Sequence, residues 1–197
     1  MTDFYSTLAL DEELPAVAGE QPRFYIVSRR KMAILYLATL GMYGIYWYYK
    51  NWACYNKHCP DAAQAGNGVW PIPRAIFSVF FTHDLFEKIK HHGRRSPLVA
   101  AWEHRSQATM LVILTLACNL LDRLSMREIG SPTTDILALL ILLPILYTKL
   151  QAQEMINASC GDPTGETNAS FSGANYAWTI IGSLWWGLIL IGMRLPE

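Results

Sequence analysis

Charge is scarce in this sequence, and it is balanced where present. Sixteen Lys and Arg stand against sixteen Asp and Glu, and the four charged types make up 16% of the 197 residues, where an ordinary soluble domain carries about 25%. Without a basic excess, nucleic acid is not an expected partner. Cysteine is sparse as well, at four residues, which excludes a disulfide scaffold. A phosphate-binding glycine loop, a G-x-S-x-G elbow and an H-E-x-x-H pair are all missing. The chain therefore reads as non-enzymatic, with no cofactor, no metal and no catalytic residues expected. Cys54, His58 and Cys59 are crowded together, but three ligands so close in sequence do not make a zinc site.

Hydrophobic residues are plentiful, at 52%, with seven Trp and ten Tyr. The expected fold class is all-α: an integral membrane helix bundle of four to five transmembrane segments, one of them re-entrant or interfacial. Ahead of it, residues 1–22 read as a flexible acidic tail carrying Asp3, Asp11, Glu12, Glu13 and Glu20 without Lys or Arg. That pattern is not a secretory signal peptide. Residues 23–197 then form a single transmembrane helical domain.

Five apolar stretches follow. Met32–Tyr49 contains no charge, is preceded by Arg29, Arg30 and Lys31, and ends in Trp47, Tyr48 and Tyr49, as a membrane edge does. Ala75–Phe86 is short and holds His83 and Asp84, which favours a re-entrant or interfacial helix over a span. Ala108–Leu121 is third. Ile136–Thr148 is fourth, with Thr134 or Asp135 available to cap it and Pro144 set to kink it. Ala174–Met193 is uncharged and rich in Trp, the clearest span of the five. Counting Lys and Arg favours five crossings with the N-terminus inside. Lys88–Arg95 is then cytoplasmic, while Lys50, Lys57, Arg74, Arg123, Arg127 and Arg194 lie on the outer side. That side would also hold Cys54 and Cys59, where a disulfide between them can form.

Polar groups within apolar stretches must face protein or water. His83, Asp84, Asn119, Asp122, Gln151 and Glu154, with Arg74 as a counter-ion for Asp84 or Asp122, are candidates for a polar cavity. Tyr147, Gln151 and Glu154 share one face at i, i+4 and i+7. Small residues allow close helix approach. Gly41 and Gly44 are the candidates in the first span, and Thr179, Ser183 and Gly187 form a four-residue repeat in the last. In the loop beyond stretch four, Asp162, Glu166 and Asn168 fit turn chemistry better than a cation site, since their spacing is not that of an EF-hand. The expected partners are the lipid bilayer and a membrane protein or a second copy of the chain. The expected role is a helix-packing or partner-binding module, and the alternative is a small transporter or channel.

Thr39-Leu-Gly-Met-Tyr-Gly-Ile-Tyr-Trp-Tyr-Tyr-Lys-Asn51 resembles the first span of a family of small bacterial multi-pass membrane proteins whose domain has no assigned function. Tyr25-Ile-Val-Ser28, Pro73–Phe81, the Gln151–Asn157 stretch and Gly161-Asp-Pro-Thr-Gly165 are similar to further patterns in its members. The resemblance implies a bacterial inner-membrane protein and supplies no activity.

Overall fold

A computed structural model describes residues 22–58 and 69–192. The acidic tail, Cys59 and the end of the last apolar stretch lie outside the described residues. Expectations about the tail, the Cys54–Cys59 bridge and the Cys54, His58, Cys59 trio are therefore not addressed by it. The described residues are helical, with no strand among them. The helices are α1 (Arg29–Ala38), α2 (Tyr43–His58), α3 (Pro71–Ile76), α4 (Ser78–His92), α5 (Pro97–Ala100), α6 (His104–Ser125), α7 (Thr133–Leu140), α8 (Leu142–Ser159) and α9 (Gly173–Gly192), with a 3-10 turn over Glu166–Asn168.

The first apolar stretch is not one helix. Leu40 and Gly41 both take positive φ, 50° and 85°. The Leu40 N–H donates to the Leu37 carbonyl and the Gly41 N–H to the Tyr36 carbonyl, the double bond of a Schellman ending. Thr39 Oγ1 donates to the Leu35 carbonyl and accepts from the Tyr43 N–H, so one hydroxyl closes α1 and opens α2. At 10 and 16 residues, neither piece reaches the about 20 needed to cross a bilayer. The unbroken span Met32–Tyr49 is thus corrected to a helix pair that turns back on itself.

The second stretch is broken too, at Phe77 (φ −94°, ψ 38°) between α3 and α4. Here α4 runs antiparallel to α6, with His83 against Thr109 and Glu87 near Arg105. That register carries the Phe77 break to about the middle of α6.

Among the described residues, two helical stretches are long and apolar enough to cross a membrane: His104–Ser125, and Thr133–Ser159 with α7 and α8 taken together. Pro144 has no N–H to give the carbonyl one turn back, and the α7–α8 junction falls at Ile141, three residues before it. The expected cap at the start of α7 is absent. Thr134 Oγ1 donates instead to the Ile129 carbonyl, and Asp135 accepts from the hydroxyls of Ser125 and Ser131. Those bonds tie α6 to α7 across their loop.

One end of the molecule, the base, gathers the N-terminal segment and the ends of several helices. Phe24 stacks on Tyr55 of α2 and lies against His92 of α4. Lys88 sits over Tyr55, and Arg29 pairs with Glu154 of α8. The α1–α2 turn reaches only to Leu142 at the α7–α8 junction. The α6–α7 loop and Met126 lie at the far end, and α9 rises alongside α1 from the base. The core, with Phe24, Trp47, Trp52, Phe86 and Ile156 fully covered, sits in the basal half. In the far half, Ile113, Leu116, Leu120 and Leu137 remain exposed.

The contact holding α9 differs from the expected seam. A Cβ on Gly182 would overlap the carbonyl oxygen of Ala38, whereas one on Gly187 would meet nothing within 4 Å. Ser183 is exposed, and the Thr179 and Ser183 hydroxyls bond back to their own helix at Asn175 and Thr179. Trp186 donates its indole N–H to the Leu37 carbonyl at 2.8 Å. The face meeting α1 is therefore Gly182 and Trp186, rotated from the Thr179, Ser183 and Gly187 repeat. Gly182→Leu is expected to lower the melting temperature in detergent by several degrees, as overpacking costs about 1–3 kcal/mol. Gly187→Leu is expected to leave it unchanged.

Candidate functional site

The seven polar residues singled out in the sequence do not converge. Arg74 Nη1 lies 2.5 Å from Asp84 Oδ2, and its guanidinium is held between the rings of Trp52 and Phe81, 4.4 and 4.7 Å from their centroids. Lys88 reaches the other Asp84 oxygen at 3.2 Å. His83 hydrogen-bonds Thr109 on the exposed side of the α4–α6 contact. Asn119 and Asp122 are exposed near the far end of α6, and Cys118 Sγ contacts Asp122. Gln151 donates to the Tyr147 hydroxyl, and Glu154 is paired with Arg29 at the base. A hollow lined by Asn56, Val69, Trp70, Pro71, Ile72 and Pro73 includes none of the seven. The common cavity expected from these residues is replaced by local pairings at different heights.

Convergence occurs instead on the adjacent face of α8. Residues Tyr25–Ser28 belong to neither helix nor strand, and burial of such a segment among helices leaves its backbone groups in need of outside partners. Side-chain amides supply them. Asn51 Oδ1 accepts from the Tyr25 N–H, and Gln153 Nε2 donates to the Tyr25 carbonyl. Asn168 Nδ2 donates to the Ile26 carbonyl. Asn157 takes Val27 from both sides, accepting from its N–H at 3.4 Å and donating to its carbonyl at 3.0 Å. Gln153 also accepts from the Trp47 indole at 2.5 Å and donates to Asn157 at 2.7 Å. Asn51, Gln153 and Asn157 are fully buried, as are the flanking Phe24 and Val27.

The loop after α8 closes over this strap. Gly165 has φ 72°, and a Cβ there would come 2.6 Å from the Val27 carbonyl oxygen, so glycine is required twice over. Asp162 holds the loop in shape by accepting from the N–H groups of Gly165, Glu166 and Thr167 and from the Thr167 hydroxyl. Partial burial raises the pKa of its carboxyl. The bonds from the Thr167 hydroxyl and from the three backbone N–H groups together outweigh that and hold it below the usual carboxylate range. Asn168 and the Ser170 carbonyl accept from the buried Lys31 ammonium at 2.6 and 2.7 Å. Asp162 and Asn168 are thus engaged in turn and strap bonds.

Lys149, one turn before Gln153, is the residue that sequence reasoning missed. It reads there as one more basic residue at a helix end, yet it is only 5% exposed. Its ammonium lies 4.2 Å from the centroid of Tyr48 and 4.9 Å from that of Trp47, a cation on two aromatic faces. Gly44 makes room for it: a Cβ there would stand 3.4 Å from Lys149 Cε and 3.3 Å from the Tyr36 ring. Gly41 approaches the same Tyr36 from the α1–α2 turn. The two glycines therefore pack one ring but do not share a helix face. The signal was the i, i+4, i+8 spacing of Lys149, Gln153 and Asn157.

No protein-family profile, curated protein or solved structure matches this chain.

Asn157→Leu is expected to cost about 2–4 kcal/mol, since both Val27 backbone groups lose their partner in the core. It should lower the melting temperature and admit protease near residue 27. Glu154→Gln removes an exposed pair and is expected to stay within about 1 kcal/mol of the parent. Asp162 has a depressed pKa when folded, so its contribution is present above the usual carboxylate range and lost as pH falls through the depressed value. Proteolysis of the 161–168 loop should rise steeply in that acid window. In Asp162→Asn it should be higher at neutral pH and flatter with pH.

Proposed function

We propose that this chain is a multi-pass module of the bacterial inner membrane that works by packing against other membrane helices and carries out no chemistry. In this reading α6, the α7–α8 pair and α9 cross the bilayer, while the α1–α2 and α3–α4 pairs enter from the base and return. The observation that carries it is the break of both pairs at half height. Their outer ends, together with Arg23, Arg29, Arg30, Lys57, Lys88, Arg94, Arg95 and Arg105, then fall on one side, against Arg123 and Arg127 on the other. The positive-inside rule makes that side cytoplasmic, far more decisively than for five crossings.

The pairing of Arg74 with Asp84 and of Arg29 with Glu154 supports packing over conduction, because a conducting site needs such groups open to a water-filled path. The exposed Trp178, Ile181, Trp185 and Leu188 of α9 are suited to lipid and to a neighbouring helix. Membership of the small bacterial membrane family remains part of the proposal. It is supported by the meeting of three of its motifs, Tyr25–Ser28, the stretch ending at Asn157 and Gly161–Gly165, in one buried network. Lys149 favours a second reading, a small transporter, since a lysine inside a span commonly marks an ion or substrate path.

Labelling separates the topologies. Five crossings put Lys57 and Arg127 on the same outer face, and the present reading puts them on opposite faces. In a cysteine-free background, Arg127→Cys is expected to react with an impermeant maleimide in spheroplasts, and Lys57→Cys only after lysis. Equal labelling of both before lysis contradicts the reading. Lys149→Met separates packing from transport. A packing role expects a stability equal to or above the parent's, because replacing a desolvated charge by an apolar chain of similar size is neutral or favourable, with no loss of function in the host cell.

A further inference from the structure

The connection from α4 to α6 is anchored at many points, and it displays two arginines that pair with no acidic side chain among the described residues. Gly93 is buried where a Cβ would lie 2.7 Å from both Ser159 and Val99. Val99 is fully covered, and Trp102 packs on Phe86 at 5.1 Å. Lys90 folds across the connection, its ammonium donating to the Ala100 and Trp102 carbonyls at 2.6 and 2.9 Å. The Trp102 indole bonds Gln107, which in turn donates to the Thr148 carbonyl. A segment anchored at so many points fixes the backbone from which its outward side chains project, so binding has only those side chains left to order.

Those outward side chains are Arg94, Arg95 and Leu98, with Arg105 in the first turn of α6. Among the described residues Arg94 and Arg95 have no ion pair, and Arg105 has only an exposed contact of 4.0 Å with Glu87. Leu98, 46% exposed, follows Arg95 by three residues in α5 and precedes the start of α6 at His104 by six. A planar guanidinium pairs with phosphate through two parallel N–H donors. An apolar side chain next to such a pair suits the boundary between headgroups and acyl chains.

We propose that this knuckle binds the phosphate of an anionic phospholipid in the leaflet on the basal side. Arg94 and Arg95 take the phosphate oxygens, and Leu98 rests against the first methylenes of the acyl chains. The inference rests on α6 crossing the bilayer from His104, but not on which face of the membrane the base occupies.

The test titrates the purified full-length protein, in an uncharged detergent, with phosphatidylglycerol, phosphatidylcholine or soluble glycerophosphoglycerol, and counts bound molecules by native mass spectrometry. Phosphatidylglycerol is expected to bind in preference to phosphatidylcholine. The double variant Arg94→Gln/Arg95→Gln should weaken it roughly 20-fold, from the usual contribution of two basic residues at an anionic surface. Arg123→Gln/Arg127→Gln, at the far end, should leave it unchanged, and Leu98→Asn should weaken the lipid without affecting the soluble headgroup. Unchanged binding in the arginine variant overturns the proposal. So does glycerophosphoglycerol binding as tightly as the lipid, which would make this a site for free phosphate esters. Folding of each variant is checked by circular dichroism. Labelling at Lys57 and Arg127 reports the topology separately, so failure of either idea is distinguishable from failure of the other.

Discussion

A segment that is neither helix nor strand cannot satisfy its own backbone when buried among helices, and that constraint organises the basal half of this protein. Residues 25–28 have no neighbouring strand among the described residues. The N–H and C=O of Tyr25 and of Val27 and the C=O of Ile26 are met by the amides of Asn51, Gln153, Asn157 and Asn168, which come from α2, α8 and the loop beyond it. The Ser28 N–H donates to the Asn168 backbone carbonyl. Each amide serves as both donor and acceptor, so its orientation is dictated by the strap. A buried polar network of this kind adds specificity only when every member is satisfied. The same network draws in Trp47 and, through Asn168, the Lys31 ammonium. Gly165 and Asp162 matter because they shape the loop that lies on the strap.

The half-height helix pairs follow from that arrangement. With the strap, α1 and α2 all tied to the end of α8, the chain turns back at half the height of the molecule. The turn is made at Leu40 and Gly41, with Thr39 serving both helices. Gly44 then admits the Lys149 stem between α2 and α8, and the aromatic faces of Trp47 and Tyr48 take its charge. A carboxylate at this depth would need its own desolvation compensated, whereas a ring face has little hydration to lose. The far half is built differently, as an apolar hairpin of α6 and α7 with α9 beside it, and its exposed Ile and Leu side chains are suited to hydrocarbon.

Much of this was legible in the sequence, and the failures have physical causes. The helical class, the third and fourth apolar stretches, the break near Pro144 and the turn character of residues 160–170 follow from apolar run length and from Gly and Pro. Asn157–Ser159, which read as part of that exposed loop, belong instead to α8, with Asn157 fully buried. The break at Leu40 was hidden because leucine seldom takes positive φ, and the uncharged run around it reads as continuous. On α8, Tyr147, Gln151 and Glu154 drew notice as a polar stripe, but the buried stripe is Lys149, Gln153 and Asn157. Periodicity gives both with equal clarity. Only the partner segment, more than a hundred residues earlier in the chain, decides which one turns inward. For the same reason the repeat of small residues points to Gly187 while the close approach is made by Gly182: a repeat marks a face, and the approach depends on where Ala38 lies.

The central claim is that the strap is a locked part of the core. Amide hydrogen exchange over residues 24–28 in the detergent-solubilised full-length protein measures this directly. The account requires the N–H groups of Tyr25 and Val27 to exchange as slowly as those of the buried second half of α8, and to open together with them. Exchange at the rate of an unstructured peptide, while α8 stays protected, would contradict it.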